Sequence, residues 1–168
     1  MKNILVFILS VFSGIIMAQQ TITPPSKEFQ QFDFWLGNWD VFKFGTETLA
    51  GKSQIQSIID GYGILENYSV GEGKYQGKSL NKYNPAKQRW EQYWIDNSGL
   101  TLFLVGGIKD GKMVLCDEFT GDPKQGINQI IWEPMKNGSV RQTWNLSKDG
   151  GKTWTTLFDG EYKKVKNN

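Results

Sequence analysis

Ten short segments rich in β-branched and aromatic residues follow one another along the chain, and turn-forming residues separate them. The sequence predicts strands at 38–44, 51–60, 63–71, 76–84, 89–96, 100–107, 112–120, 127–133, 139–147 and 154–163. Asp110-Gly111 and Asn137-Gly138 suit two-residue hairpins. Because no helix-length pattern interrupts the segments, we expect an all-β antiparallel meander. One flat sheet of this size would leave exposed edges, so the meander should close into a roughly ten-stranded barrel, with a two-sheet sandwich as the alternative.

The first 18 residues have the organisation of a secretory signal peptide. Lys2 supplies a positive charge, residues 4–17 form an apolar core, and Ala18 precedes a polar run as a cleavage site. A retained membrane anchor is the alternative, but the apolar run is shorter than the ~20 residues that a bilayer span needs. We therefore predict a signal peptide at 1–18, a single domain at 19–168, and a periplasmic or extracellular location without a stable membrane anchor after cleavage.

The composition excludes several classes of function. The chain has no histidine and a single cysteine, Cys116. Ser-His-Asp and Cys-His catalysis, the common zinc sites and His-ligated haem are therefore excluded, and no intramolecular disulfide can form. The formal net charge of +2 at pH 7 creates no field that would attract nucleic acid. We predict no metal, no cofactor and no nucleic-acid partner.

A short helix is predicted ahead of the first strand. Ser26 is its candidate N-cap and Gly37 its candidate stop. Between them, apolar side chains recur at helical spacing: Phe29, Phe32, Trp35 and Leu36. The first strand then opens on Trp39. We expect this helix to plug one end of the barrel.

The segment at 32–39 also carries a family resemblance. Gly37-Asn38-Trp39 after a helical turn resembles the Gly-x-Trp opening of lipocalins and other calycin-like barrels. The longer Phe-x-Phe-Trp-Leu-Gly-x-Trp form looks like small exported bacterial barrels of uncharacterised function, and residues 94–96 and 141–162 are similar to that group. The resemblance implies a lipocalin-like barrel with an apolar cavity and implies no reaction. Haem-binding relatives of the nitrobindin kind use a histidine ligand, which this chain lacks.

A second motif lies between the last two predicted strands. Ser147, Asp149, Gly151 and Trp154 resemble the Asp-box, Ser-x-Asp-x-Gly-x-x-Trp, of sialidase propellers and other β proteins. We expect Asp149 to accept hydrogen bonds from turn amides and Trp154 to pack beneath the hairpin. One copy does not make a propeller, so the motif predicts a structural turn.

The aromatic content suggests a ligand-holding interior. Seven Trp and six Tyr are many for a chain of 168 residues, and a ten-stranded barrel is wide enough to leave room for a ligand. We expect a small hydrophobic or amphipathic molecule to bind there, with Arg141 or Glu118 orienting its polar end. The predicted wall and floor residues are Trp35, Trp39, Trp94, Phe103, Trp132 and Trp144.

Two other classes of function stay open. Carboxylates in the cavity, with Arg141 or a tyrosine, could run acid–base chemistry without histidine, although no spacing singles out a catalytic pair and we name no catalytic residue. Alternatively, aromatic residues on the outer face would form a carbohydrate-contact or surface interaction module. The sequence does not decide which face of each strand points inward, because a shift of one residue in register reverses every assignment.

Overall fold

The computed structural model describes residues 25–117 and 126–165. This part of the chain contains ten strands: β1 (Gly37–Lys43), β2 (Leu49–Ile58), β3 (Gly63–Val70), β4 (Tyr75–Asn84), β5 (Arg89–Asp96), β6 (Thr101–Lys109), β7 (Lys112–Asp117), β8 (Ile127–Pro134), β9 (Val140–Ser147) and β10 (Thr155–Lys164). Each strand pairs antiparallel with its neighbours in sequence, and β1 also pairs with β10. The predicted closed barrel is therefore confirmed over the sandwich. The predicted signal peptide at 1–18 and Glu118 lie outside the described residues.

The two predicted two-residue hairpins have different outcomes. Asp110 and Gly111 both have positive φ, at 51° and 76°, and join β6 directly to β7 as expected. The prediction for Asn137-Gly138 is wrong, because residues 135–139 all lie between β8 and β9. The physical reason is the Asn137 side chain, whose Oδ1 accepts hydrogen bonds from the Ser139 amide at 3.0 Å and the Ser139 hydroxyl at 2.7 Å. This Asx-type bond holds a longer turn.

The predicted short N-terminal helix is present as two 3₁₀ helices, Lys27–Gln30 and Asp33–Trp35. Phe29, Phe32 and Trp35 recur at intervals of three, which matches the three-residue turn of a 3₁₀ helix better than an α-helix. Ser26 does not cap the backbone; its hydroxyl donates to the Glu28 carboxylate instead, at 2.6 Å.

One end of the barrel, which we call the packed end, is filled by aromatic side chains. Phe32, Trp35, Trp39, Trp90 and Trp132 are each at most 1% exposed. The Phe32 ring stacks on Trp35 with centroids 4.9 Å apart and meets Trp90 and Trp132 edge-on at 5.6 and 5.1 Å. The Trp39 indole N–H donates to the Trp35 carbonyl at 2.9 Å. The 3₁₀ segment thus adds its own rings to the barrel core.

The register decides which face of each strand points inward. On β5, Trp90 and Gln92 are buried, whereas Tyr93 on the opposite face is exposed. On β9, Arg141 points outward and pairs with Asp159 of β10. Side-chain direction alternates along a regular strand, so these assignments fix the inner faces of β5 and β9. The register shifts in β1, between Val41 and Phe42, and in β10, between Thr156 and Phe158.

The Asp-box-like turn joins β9 to β10. Asp149 accepts hydrogen bonds from the Thr153 hydroxyl at 2.6 Å, from the Thr153 amide at 2.8 Å and from the Lys152 amide at 3.0 Å. These bonds, with one from Ser147, lower the pKa of Asp149 to about 2. Trp154 is 39% exposed rather than buried beneath the hairpin. The motif closes a turn, as expected, with its tryptophan at the surface.

Candidate functional site

The barrel interior is not filled at the end opposite the packed end. A cavity of about 330 Å³ opens there, and we call this region the cavity end. Its aromatic lining comes from seven residues: Tyr68, Tyr75, Trp94, Trp132, Trp144, Phe158 and Tyr162. Its aliphatic lining is Ala50, Val70, Leu102, Ile130 and Leu157. Three polar side chains complete the wall: Glu66, Gln92 and Gln142.

Gly77 and Gly51 each make room for an aromatic ring of the cavity wall. A Cβ atom built on Gly77 of β4 would lie 2.1 Å from Cζ2 of Trp94, and one built on Gly51 of β2 would lie 2.5 Å from the Tyr68 hydroxyl. Both distances are far below contact, so only glycine fits beneath these rings. Each ring extends over the neighbouring strand and occupies the space that a side chain at the glycine position would otherwise fill.

Glu66 of β3 is the charged group of the cavity wall. Its side chain is buried, at 3% exposure. Oε1 accepts a hydrogen bond from the Ser53 hydroxyl at 2.9 Å, and Oε2 accepts one from the Ser79 hydroxyl at 3.0 Å. Burial raises the pKa of Glu66 to about 7, and the two serine bonds offset only part of that rise. A carboxyl group in this state changes charge near neutral pH.

A chain of neutral polar groups continues from Glu66 across the next two strands. The Asn81 amide donates to the Ser79 hydroxyl at 2.9 Å, and the Gln92 amide donates to the Asn81 carbonyl oxygen at 2.6 Å. On the opposite wall, the Tyr162 hydroxyl donates to the Gln142 carbonyl oxygen. Because these groups satisfy one another, the polar interior is ordered without a second charge.

Hydrogen bonds also hold the rings near the mouth of the cavity. The Tyr75 hydroxyl and the Trp94 indole N–H both donate to Oδ2 of Asp96, at 2.8 and 3.1 Å. The Trp144 indole N–H donates to Asn128 at 2.7 Å. Burial alone would raise the pKa of Asp96, but hydrogen bonds from Ser98, Tyr75 and Trp94 lower it to about 2. Asp96 is therefore an ionised anchor for the aromatic wall.

The structure brings together some of the residues predicted to bind a ligand and separates others. Trp94, Trp132 and Trp144 line the cavity. Trp35 and Trp39 lie in the packed end and are not among the cavity-lining residues.

The placement of Phe103 and Arg141 inside the barrel is corrected. Phe103 is 40% exposed on the outer face of β6. Arg141 makes a two-point ion pair with Asp159, with Nε–Oδ1 and Nη2–Oδ2 distances of 2.9 and 2.7 Å, and its guanidinium lies 3.8 Å from the centroid of the Phe44 ring. The reason is register: the inner residues of these strands are their immediate neighbours, Leu102 and Gln142.

Glu66 was not among the site residues predicted from the sequence, although its strand pattern carried a signal. Ile64, Tyr68 and Val70 lie at even spacing from Glu66, so the alternation of β3 already put it on an apolar face. A carboxylate on such a face indicates either a buried functional group or a wrongly assigned inner face of the strand. The glycines at 51 and 77 were a second available signal, since glycine inside a strand often marks a close approach.

No protein-family model matches this chain, and no curated protein matches it. Within residues 25–117 and 126–165, no three cysteine, aspartate or glutamate side chains are grouped so that they could hold a metal ion. In the same part of the chain, no helix has the length and apolar character needed to cross a membrane.

Proposed function

We propose that this chain is an exported, lipocalin-like barrel that binds a small hydrophobic or amphipathic molecule in its cavity, while the N-terminal 3₁₀ segment plugs the packed end. The cavity of about 330 Å³ is the observation that carries this proposal. Its volume lies at the lower end of the range for small-molecule sites, and its lining is mainly apolar with a few placed polar groups, which is the usual composition of such sites.

The arrangement of carboxylates favours binding over catalysis. Acid–base chemistry on a bound molecule needs two groups that face the same space. Among the described residues that line the cavity, Glu66 is the only carboxylate. Burial raises the pKa of each lining tyrosine, Tyr68, Tyr75 and Tyr162, further from neutral. Asp96 near the mouth is engaged by Tyr75, Trp94 and Ser98.

A specific feature of the outer face supports the surface-interaction alternative. Leu80 pairs with Tyr93, and Tyr93 with Phe103, across β4, β5 and β6. All three side chains are at least 40% exposed. The row lacks the enclosed shape and polar anchor of the cavity, so it ranks second.

Titration with N-phenylnaphthylamine, a neutral hydrophobic fluorophore, tests the binding function. We expect saturable binding to the purified protein. Leu102→Trp should weaken binding at least about tenfold, because the added ring occupies cavity space. Phe103→Trp is the matched control: it places the same side chain at the next position, on the outer face, and should leave the affinity unchanged. Absence of saturable binding, or equal affinity in both variants, would overturn the proposal.

A further inference from the structure

We propose that the cavity selects small organic cations, amines attached to an apolar body, over carboxylic acids. This inference rests on the proposed ligand-binding function and adds the charge of the ligand to it. Three features carry it: the sign of the only charge in the described cavity wall, the absence of a basic partner for that charge within the described residues, and the rings that surround it.

The first feature is the charge inventory of the wall. Glu66 is the only ionisable acid or base among the described lining residues apart from tyrosines; Gln92 and Gln142 supply neutral amides. Arg141, which the sequence suggested as an anion anchor, is on the outer face and forms an ion pair with Asp159. A carboxylic acid entering the cavity would therefore meet a carboxylate and no counter-charge, which costs free energy in a low-dielectric interior.

The second feature is the incomplete set of partners around Glu66. Each of its oxygens accepts one hydrogen bond, from Ser53 and from Ser79. A carboxylate has about four acceptor sites, so about two stay open. In the described part of the chain no lysine or arginine forms an ion pair with Glu66. A ligand ammonium group supplies both the missing donors and the missing positive charge.

The third feature is the aromatic wall. Tyr68 and Trp94 are packed at 6.4 Å between centroids, and Tyr68 is also close to Tyr75 at 6.2 Å. Trp144 and Phe158 stand on the opposite strands of the same cavity. Ring faces carry negative partial charge and attract cations within about 6 Å, with tryptophan the strongest. The wall therefore favours the same sign of ligand charge as Glu66 does.

The charge of Glu66 makes this preference dependent on pH. Burial raises the pKa of Glu66 to about 7, so the carboxylate that attracts the amine forms as the pH rises through that value. The other titratable groups that face it do not change charge there. Burial raises the pKa of Tyr68 to about 12 and raises those of Tyr75 and Tyr162. The pKa of Asp96 is about 2.

Calorimetric titration with three probes of one shape tests the inference: phenethylamine, the carboxylate hydrocinnamate and phenethyl alcohol. At about pH 8, where Glu66 is ionised, we expect the amine to bind at least about tenfold more tightly than the acid or the alcohol. Glu66→Gln should remove most of this preference, leave the contribution of the rings and leave the affinity for the alcohol unaffected. Glu133→Gln, which removes a carboxylate paired with Lys112 on the outer face, should preserve the preference.

Equal or tighter binding of hydrocinnamate, or an amine preference that is undiminished in Glu66→Gln, would overturn the inference. If N-phenylnaphthylamine still binds in that case, ligand binding stands and only the selectivity fails. If the Glu66→Gln variant does not fold, the pH dependence of phenethylamine binding to the wild-type protein tests the inference instead. Phenethylamine stays protonated between about pH 5.5 and about pH 8.5, so its affinity should rise across this range as Glu66 ionises. An affinity that does not change with pH would contradict the inference.

Discussion

The two ends of the barrel use the same kinds of side chain to opposite effect. At the packed end, Phe32, Trp35 and Trp132 contact one another directly and exclude solvent. At the cavity end, Trp94 and Trp144 are only partly buried and border open space. A high aromatic content therefore does not determine whether a barrel is filled. Rings from the 3₁₀ segment pack among those of the barrel at one end, whereas glycines beneath the rings leave space at the other end.

The packed end contains indole N–H groups both with and without a hydrogen-bond partner: Trp39 and Trp90 donate to the Trp35 carbonyl and to Gln31. Trp94 and Trp144 donate to Asp96 and Asn128, which fixes their orientation. The indole nitrogens of Trp35 and Trp132 are buried without a partner. Leaving a buried donor unpaired costs about 1–3 kcal/mol. Apolar contact must outweigh that cost for Trp35 and Trp132, whereas hydrogen bonds position Trp94 and Trp144 at the cavity end.

Truncating a ring at each end should separate the two kinds of packing. Trp35→Ala should lower the free energy of unfolding by about 3–5 kcal/mol, because it leaves a void in close-packed surroundings. Trp144→Ala should cost less than half as much, because its ring already borders a cavity. Urea unfolding of both variants provides the measurement. Equal losses would mean that the cavity end is as tightly packed as the packed end.

Removing the buried charge should change how stability depends on pH. The folded pKa of Glu66 is about 7 and its ordinary value is 4.5. The folded state therefore binds the proton more tightly, and this contribution is fully present below about pH 4.5 and lost as the pH rises through about 7. As the pH rises across this range, the free energy of unfolding of Glu66→Gln should increase relative to that of the wild type by on the order of 3 kcal/mol.

Chemical unfolding at a series of pH values measures that difference. Glu133→Gln retains Glu66 and is the control for the loss of one carboxylate elsewhere in the barrel. A difference between Glu66→Gln and the wild type that stays constant with pH would show that the Glu66 carboxyl is hydrated, and the cavity end would then be wetter than its lining indicates.

The smallest effect is expected on the outer face. Arg141→Gln removes a half-exposed ion pair with Asp159, and such pairs contribute about 1 kcal/mol or less. The affinity for N-phenylnaphthylamine should not change, because the guanidinium lies outside the cavity. Thermal unfolding and the fluorescence titration check the two parts separately. A marked loss of probe binding would indicate that Arg141 contributes to the site, contrary to its outward placement.

Much of the fold could be predicted from local sequence. All ten strands were placed near their observed bounds, because turn residues such as Asp110-Gly111 interrupt β-prone segments at short intervals. The errors arose where two local backbone conformations compete. Asn137 formed an Asx-type turn in place of a tight hairpin. The short helix ahead of β1 was predicted as one continuous element, whereas the structure has two 3₁₀ helices, Lys27–Gln30 and Asp33–Trp35.

The candidate site was less predictable, because its members come from distant strands. Trp94 and Trp144 were expected in the cavity and lie there. Phe103 and Arg141 were expected with them and point away, since each occupies the strand position next to an inner residue. A shift of one residue in register decides whether a side chain lines the cavity or lies on the outer surface. The register in turn depends on pairing with strands that are distant in sequence.

By itself, the sequence determined the strands, their meander order and the absence of histidine chemistry, because these follow from local turn propensities and composition. Only the tertiary structure decided that one end of the barrel is filled and the other open, and that Glu66 faces the open space without a basic partner among the described residues. The reason is that closure of β1 onto β10 fixes the register of every strand together. Inner and outer faces are then a property of the closed sheet rather than of any one segment.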